Sequence, residues 1–134
     1  MQKSFKPEGY NSISPYFVVD DAQRFIDLLK QIFGAKELRR YARPDGSIMH
    51  AELQIDDSIL MLGNSTKEYH SNQLLTHIYM PNVDLTFKKA LELGCEPLQV
   101  PKINDDDPDK RGMFKDFAGN VWAVGTQVDI RPLS

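Results

Sequence analysis

From Ser12 to Val19 the chain alternates, with Ile13, Phe17 and Val19 on one face and Ser14 and Tyr16 on the other, which predicts a strand. Asp20 and Asp21 then offer N-caps. Ala22, Phe25, Ile26, Leu29, Ile32 and Phe33 recur at helical spacing until Gly34 supplies a stop. A strand over about 36–42 meets the turn Arg43-Pro44-Asp45-Gly46, where proline sets φ and glycine permits a positive φ. A second strand covers 48–55, and Asp56-Asp57 turns the chain into a third over 58–62, closed by Gly63-Asn64-Ser65. The first half thus reads β-α-β-β-β.

The polar stretch 66–72 reads as a linker, after which the order recurs. A strand over 74–80 precedes a helix over about 83–93, with Phe87, Ala90 and Leu91 on one face and Gly94 behind it. Strands over 96–100, 112–116 and 120–127 follow, with Ala118-Gly119-Asn120 as the last turn. An element-level repeat of about 60 residues is too long and in too few copies for a short-repeat solenoid. The reading is an α+β fold in one domain over 1–134, built of two βαβββ modules over about 12–63 and 74–127.

Alternation assigns the strand faces. Met49, Ala51, Leu53 and Ile55 should meet the helix of their module, leaving His50, Glu52 and Gln54 opposite. Leu74, Thr76, Ile78 and Met80 likewise leave His77 and Tyr79 opposite. Ser14, Tyr16, His50, Glu52, His77 and Tyr79 would then line a cavity if the antiparallel sheets curl toward each other. Two histidines, a carboxylate and two tyrosines are the contents of a small-molecule site, since burying them requires specific partners. A polar face that simply meets water is the alternative.

Composition narrows the function classes. Of 134 residues, 41% are hydrophobic and 26% charged, with a formal net charge of −3. No lysine–arginine cluster is interleaved with aromatics, so nucleic acid is not an expected partner. The first residues lack the apolar core of a signal peptide, and no apolar run approaches the roughly 20 residues that span a bilayer. The expectation is a cytoplasmic protein without a membrane partner. Cys95 is the single cysteine, excluding an intrachain disulfide and any multi-cysteine metal site, and reads as structural. The acidic run Asn104-Asp105-Asp106-Asp107-Pro108-Asp109 lacks the glycine and terminal glutamate of a calcium loop and reads as a solvated, mobile loop. His70 reads as exposed and Trp122 as core.

Several motifs carry a family resemblance. Ser14-Pro15-Tyr16-Phe17-Val18-Val19-Asp20-Asp21-Ala22 with Ile26, Phe33-Gly34-Ala35, Pro44-Asp45-Gly46, Met49-His50-Ala51-Glu52-Leu53 and Asp57-Ser58-Ile59-Leu60-Met61-Leu62 resemble the vicinal-oxygen-chelate superfamily of glyoxalase, bleomycin-resistance and dioxygenase proteins. Within it they look like the small stand-alone branch called PhnB-like. Asp116-Phe117-Ala118-Gly119-Asn120 resembles the superfamily's D-P-x-G-N turn, with Phe117 in place of proline.

The resemblance implies a divalent metal held by one ligand from each of four strands. Those positions fall on Ser14, Glu52, His77 and Ala123. Only Glu52 and His77 are competent donors, although His50 could add a third. No cofactor is therefore expected, with a divalent metal possible. The resemblance also implies a homodimer whose cavity draws on both chains, and a ligand-binding set extended to Ala123.

Three functions compete. The first is a metal-free binding protein for a small cationic or aromatic molecule, with Tyr16 and Tyr79 in the cavity. The second is a metal-dependent lyase, isomerase or dioxygenase-type enzyme using Glu52 and His77. There Glu52 is the candidate catalytic base, its pKa brought toward neutrality by dehydration. The third is a structural or regulatory dimer with a vestigial cavity.

Overall fold

The structure, a computed structural model, describes residues 4–129, which divide into two compact units between Asn72 and Gln73. In the first, β1 (Tyr16–Val19), α1 (Ala22–Phe33), β2 (Lys36–Ala42), β3 (Ile48–Ile55) and β4 (Ser58–Asn64) follow in the expected order. The sheet runs β1-β4-β3-β2. The second repeats it with β5 (Leu75–Tyr79), α2 (Val83–Glu92), β6 (Glu96–Ile103), β7 (Asp109–Lys115) and β8 (Val121–Gln127), in the order β5-β8-β7-β6. This is the α+β, twice-βαβββ architecture that the patterning predicts.

One expectation needs correction: the sheets are not wholly antiparallel. β1 runs parallel to β4, and β5 parallel to β8. The helix after each first strand carries the chain across the sheet, and the third hairpin strand returns alongside the first in the same direction.

Local chemistry sets the elements of the first unit. The Asp21 carboxylate accepts from Arg24 N and caps α1, and Gly34 ends the helix at φ 68°, a left-handed conformation that costs glycine little. Phe25, Ile26 and Leu29 of α1 are wholly buried against Phe17, Ala51, Leu53 and Leu62 of the sheet, and the Phe17 and Phe25 rings lie 5.1 Å apart. Each such side chain contributes on the order of 1.5–3 kcal/mol relative to exposure. Asn72, from the presumed linker, lies along the outer edge of β1. Its amide oxygen accepts from Val18 N at 2.9 Å and its amide donates to Tyr16 O at 3.1 Å, so an open strand edge is partly satisfied.

In the second unit Phe114, Trp122 and Val124 are buried beneath Val83, Phe87 and Ala90 of α2, which Asn82 caps by accepting from Leu85 N. Trp122 is core, as expected. Its indole donates to the buried Asp116 at 2.9 Å, and Asp116 also accepts from Ala118 N and Asn120 N to close the turn before β8. Cys95 is buried and its thiol is pushed up to about 11 by burial, which suits a structural role. β6 is longer than the expected 96–100 and carries Pro97 and Pro101, tolerated because it is an edge strand with register shifts.

Candidate functional site

β1 begins only at Tyr16, so the expected strand from Ser12 is shorter. Ser14 lies before it, and Ile13 is 87% exposed rather than on the core face. Tyr16 and Val18 pair in register with Met61 and Gly63 of β4, and Met61 with Glu52 of β3. These positions share the face that turns away from α1.

The alternation of β3 breaks at Met49. Tyr41 pairs with His50 and Ala42 with Ile48, so Met49 is the extra residue of a bulge. Ile48 is consequently buried alongside Ala51, Leu53 and Ile55, while Met49 is half exposed and sits with His50 on the opposite side. Its expected place against the helix is therefore wrong. The bulge brings the Met49 carbonyl so close to Gly63 that a Cβ there would lie 2.6 Å from it, which requires glycine.

Around this bulge lies a cavity of about 320 Å³. Tyr16, Val18 and Gly63 form its sheet wall, and Met49 with Asn64 another. Arg43 and Tyr69 complete it. Asn64 is braced, accepting from Ile48 N at 2.7 Å and donating to Asp20 O at 3.0 Å. Arg43 belongs to the hairpin turn, in which Gly46 takes φ 87° and Arg43 N donates to Ser47 O. Tyr69 comes from the presumed linker, folded into a turn by Thr66 N donating to Tyr69 O and Tyr69 N to the Thr66 hydroxyl.

Behind Tyr16 runs a chain of hydrogen bonds. The Tyr16 hydroxyl lies 3.0 Å from His50 Nδ1, and His50 Nε2 lies 2.9 Å from Glu52 Oε2. A carboxylate can only accept, so Nε2 carries the shared proton, and in the neutral imidazole Nδ1 is left to accept from Tyr16. The Tyr10 hydroxyl donates to Glu52 Oε1, and Arg39 Nε stands 3.6 Å from the same oxygen with its guanidinium over the Tyr10 ring. Glu52 is thus only 4% exposed, yet on the polar face. Burial, the largest influence, pushes its carboxyl up. The hydrogen bonds from Tyr10 and His50 and the charge of Arg39 outweigh it and hold the carboxyl below its ordinary value. The expected rise toward neutrality, which would suit a general base, does not occur. Burial pushes the Tyr16 phenol up despite the nearby Arg43.

The corresponding face of the second unit carries His77 and Tyr79, with rings edge to face at 4.7 Å, and Ala123 opposite His77 in register. His77 Nε2 lies 3.1 Å from Arg111 Nη1, and the Tyr79 hydroxyl donates to Asp109 at 2.6 Å. Arg111 also donates to Asp107 at 2.6 Å and to Asp109 at 2.8 Å. The acidic run is therefore not simply a solvated loop. Asp109 is buried and opens β7, and Val128 N and Asp129 N donate to Pro108 O.

Of the predicted site residues, the first unit joins Tyr16, His50 and Glu52 in one network and leaves Ser14 out. The second places His77, Tyr79 and Ala123 together. Glu52 and His77 belong to different units. Sequence reasoning missed Tyr10, Arg39, Arg43, Met49, Tyr69, Asp109 and Arg111. The turn signal Pro7-Glu8-Gly9 before Tyr10, where Gly9 takes φ 84°, is the one cue that could have flagged the lead as structured.

The four positions marked for a metal do not fit one. Ala123 has no donor atom, Glu52 is engaged by Tyr10, His50 and Arg39, and Nε2 of His77 faces a guanidinium. Among the described residues no group of three or more His, Cys, Asp or Glu side chains is arranged to hold a metal ion. Nor is any described helix long and apolar enough to cross a membrane.

Comparison with known proteins places this geometry. The sequence model of the Glyoxalase/Bleomycin resistance protein/Dioxygenase superfamily matches residues 10–124. An uncharacterized protein of Mycobacterium bovis is 31% identical over 129 residues, covering 87% of this chain and 84% of the relative. Among solved structures, TioX from Micromonospora sp. ML1 superposes with a TM-score of 0.74 at 20% identity, covering 87% of this chain and 98% of that one. The genomically encoded fosfomycin resistance protein FosX from Listeria monocytogenes gives 0.63 at 16% identity, over 87% and 92%.

Proposed function

Because the chain belongs to the glyoxalase/bleomycin resistance protein/dioxygenase superfamily, we propose that it captures a small molecule in the cavity of its first unit and works without the full family metal site. The observation that carries this reading is the cavity itself. Its walls are aromatic and apolar, with Tyr16, Tyr69, Met49 and Val18, and its volume of about 320 Å³ falls at the lower end of ligand pockets, roughly 300–1,000 Å³. The nearest carboxylate in the network, Glu52, is occupied as a structural acceptor, so the face is built to hold its own side chains still. Rigid walls favour capture, since little side-chain entropy is lost on binding.

Within the family the motifs around Ser14–Ala22 and Met49–Leu53 favour the small PhnB-like branch. On this reading it is a cytoplasmic homodimer with a small-molecule partner and neither nucleic acid nor membrane. The ligand-contacting set shifts from Ser14, His50 and Glu52 toward Tyr16, Arg43, Met49 and Tyr69.

The test is metal content of untagged protein purified without chelator, beside Glu52→Ala and His77→Ala, followed by thermal-shift screening with aromatic compounds. The expected result is no stoichiometric metal and a stabilising compound whose effect is lost on filling the cavity with Val18→Trp. About one metal per chain, lost in both alanine variants, would overturn this reading in favour of a metal-dependent lyase, isomerase or dioxygenase-type enzyme. No stabilising compound would favour a vestigial cavity.

A further inference from the structure

Arg43 differs from three other arginines of the two sheets. Arg39, Arg40 and Arg111 each have carboxylates, from Glu52, Glu37, and Asp107 with Asp109. Arg43's hydrogen bonds described here go to neutral groups, the Ser47 hydroxyl at 3.3 Å and the Ile48 carbonyl at 3.4 Å, both at the long end for a hydrogen bond. Among the described residues no carboxylate lies within ion-pair distance of it; Asp45, two residues on, feels its charge but is turned to Ser47, accepting from its hydroxyl at 2.6 Å and its N–H at 2.9 Å. Arg43 is thus a half-buried guanidinium with spare donors, set in the wall of a cavity that no acidic side chain lines, an arrangement suited to pairing with an anion.

The remaining walls restrict what carries that anion. Tyr16 and Tyr69 offer ring surface, and Met49 presents a flexible thioether of the kind that packs well on aromatic edges. With neutral His50 accepting at Nδ1, the Tyr16 hydroxyl proton is engaged and its oxygen is left to act as an acceptor. At Gly63 the Met49 carbonyl fills the space a Cβ would take, so that part of the wall is backbone against backbone and the ring surface comes from the tyrosines.

We infer that the first-unit cavity is selective for aromatic anions of the aryl carboxylate class, with Arg43 pairing the carboxylate and Tyr16, Tyr69 and Met49 holding the ring. The inference rests on the capture reading above; of the cationic or aromatic molecule expected from the sequence it keeps the aromatic ring and reverses the charge, although the chain's net charge is acidic. Net charge describes the whole surface, whereas the charge that matters here is the one lining the cavity.

Isothermal titration of the full chain with 2-naphthoate, 2-naphthamide, 2-naphthylmethylammonium and cyclohexanecarboxylate tests it, in wild type and in Arg43→Gln and Arg43→Lys. The expected result is 2-naphthoate bound about tenfold or more tighter than the amide, a difference of about 1.4 kcal/mol, with the ammonium and the non-aromatic acid weaker still. Arg43→Gln should abolish the preference for naphthoate over naphthamide, and Arg43→Lys should keep part of it. Equal affinity for naphthoate and naphthamide, a preference that survives Arg43→Gln, or tightest binding of the ammonium overturns the inference while sparing capture. No binding of any probe at millimolar concentration overturns both.

Discussion

In the first unit Arg43 stands in a cavity wall with neutral neighbours, whereas in the second Arg111, on the corresponding face of an identically ordered sheet, is held by Asp107 and Asp109 and donates toward His77. One unit leaves its cation without an ion pair among the described residues, and the other neutralises it internally. The repeated topology therefore does not repeat the chemistry. Strand order fixes where side chains can stand, and the charges placed there decide whether the face binds or merely folds.

Core truncation gives the largest expected effect and asks whether the difference is confined to the polar faces. Phe17→Ala in the first unit and Trp122→Ala in the second should each cost about 3–5 kcal/mol in chemical denaturation. A cost below about 1 kcal/mol in either would mean that the two cores are not equivalent. Glu52→Ala should follow at about 2–4 kcal/mol, because it strands Tyr10, His50 and Arg39, with a discount for the half-exposed Arg39. Asp109→Ala should cost less, about 1–3 kcal/mol, since Arg111 keeps Asp107.

Glycine replacement sharpens the contrast further. A Cβ at Gly63 meets the Met49 backbone carbonyl at 2.6 Å, while one at Gly112 meets the Pro101 ring at 2.9 Å. Gly63→Ala should lose about 1–3 kcal/mol and weaken binding in the cavity, and Gly112→Ala should lose less, both read by denaturation.

The smallest effect is in pH dependence, where the units carry opposite signs. Glu52 titrates below its ordinary value in the folded protein, so its ionisation stabilises above the unfolded value, and this contribution is lost as pH falls through the folded one. Burial raises Asp116, opposed by hydrogen bonds from Trp122, Asn120 and Ala118. Its protonated form favours folding at low pH, and that contribution is lost as pH rises from the ordinary carboxylate range through the raised value. Denaturation midpoints between pH 3 and 7 should show less acid destabilisation in Glu52→Gln. In Asp116→Asn the component that weakens with rising pH should disappear. The same direction of change in both variants would contradict this assignment.

Element order and the helical cores were legible from periodicity, because Phe25, Ile26 and Leu29 or Phe87 and Ala90 must be buried whatever the ligand. The polar network was half legible: alternation puts Tyr16, His50 and Glu52 on one face, but nothing in a strand's period announces that Tyr10 will reach forward 42 residues to cap Glu52. The cavity was not legible. Its walls come from a turn arginine, a linker tyrosine and a bulged methionine, and none of the three positions follows a period of 2 or 3.6.

The Met49 bulge also bears on how such a cavity can arise or vanish. Ile48 and Ala51 both face the core with Met49 and His50 between them, so β3 holds one residue more than a plain pleat needs. Excising Met49 would return Ile48, His50, Ala51, Glu52 and Leu53 to unbroken alternation, keeping every core contact while deleting a wall of the cavity. The loss of a single codon could thus erase the pocket on which the proposed capture depends, and its gain could create one, without any substitution in the core.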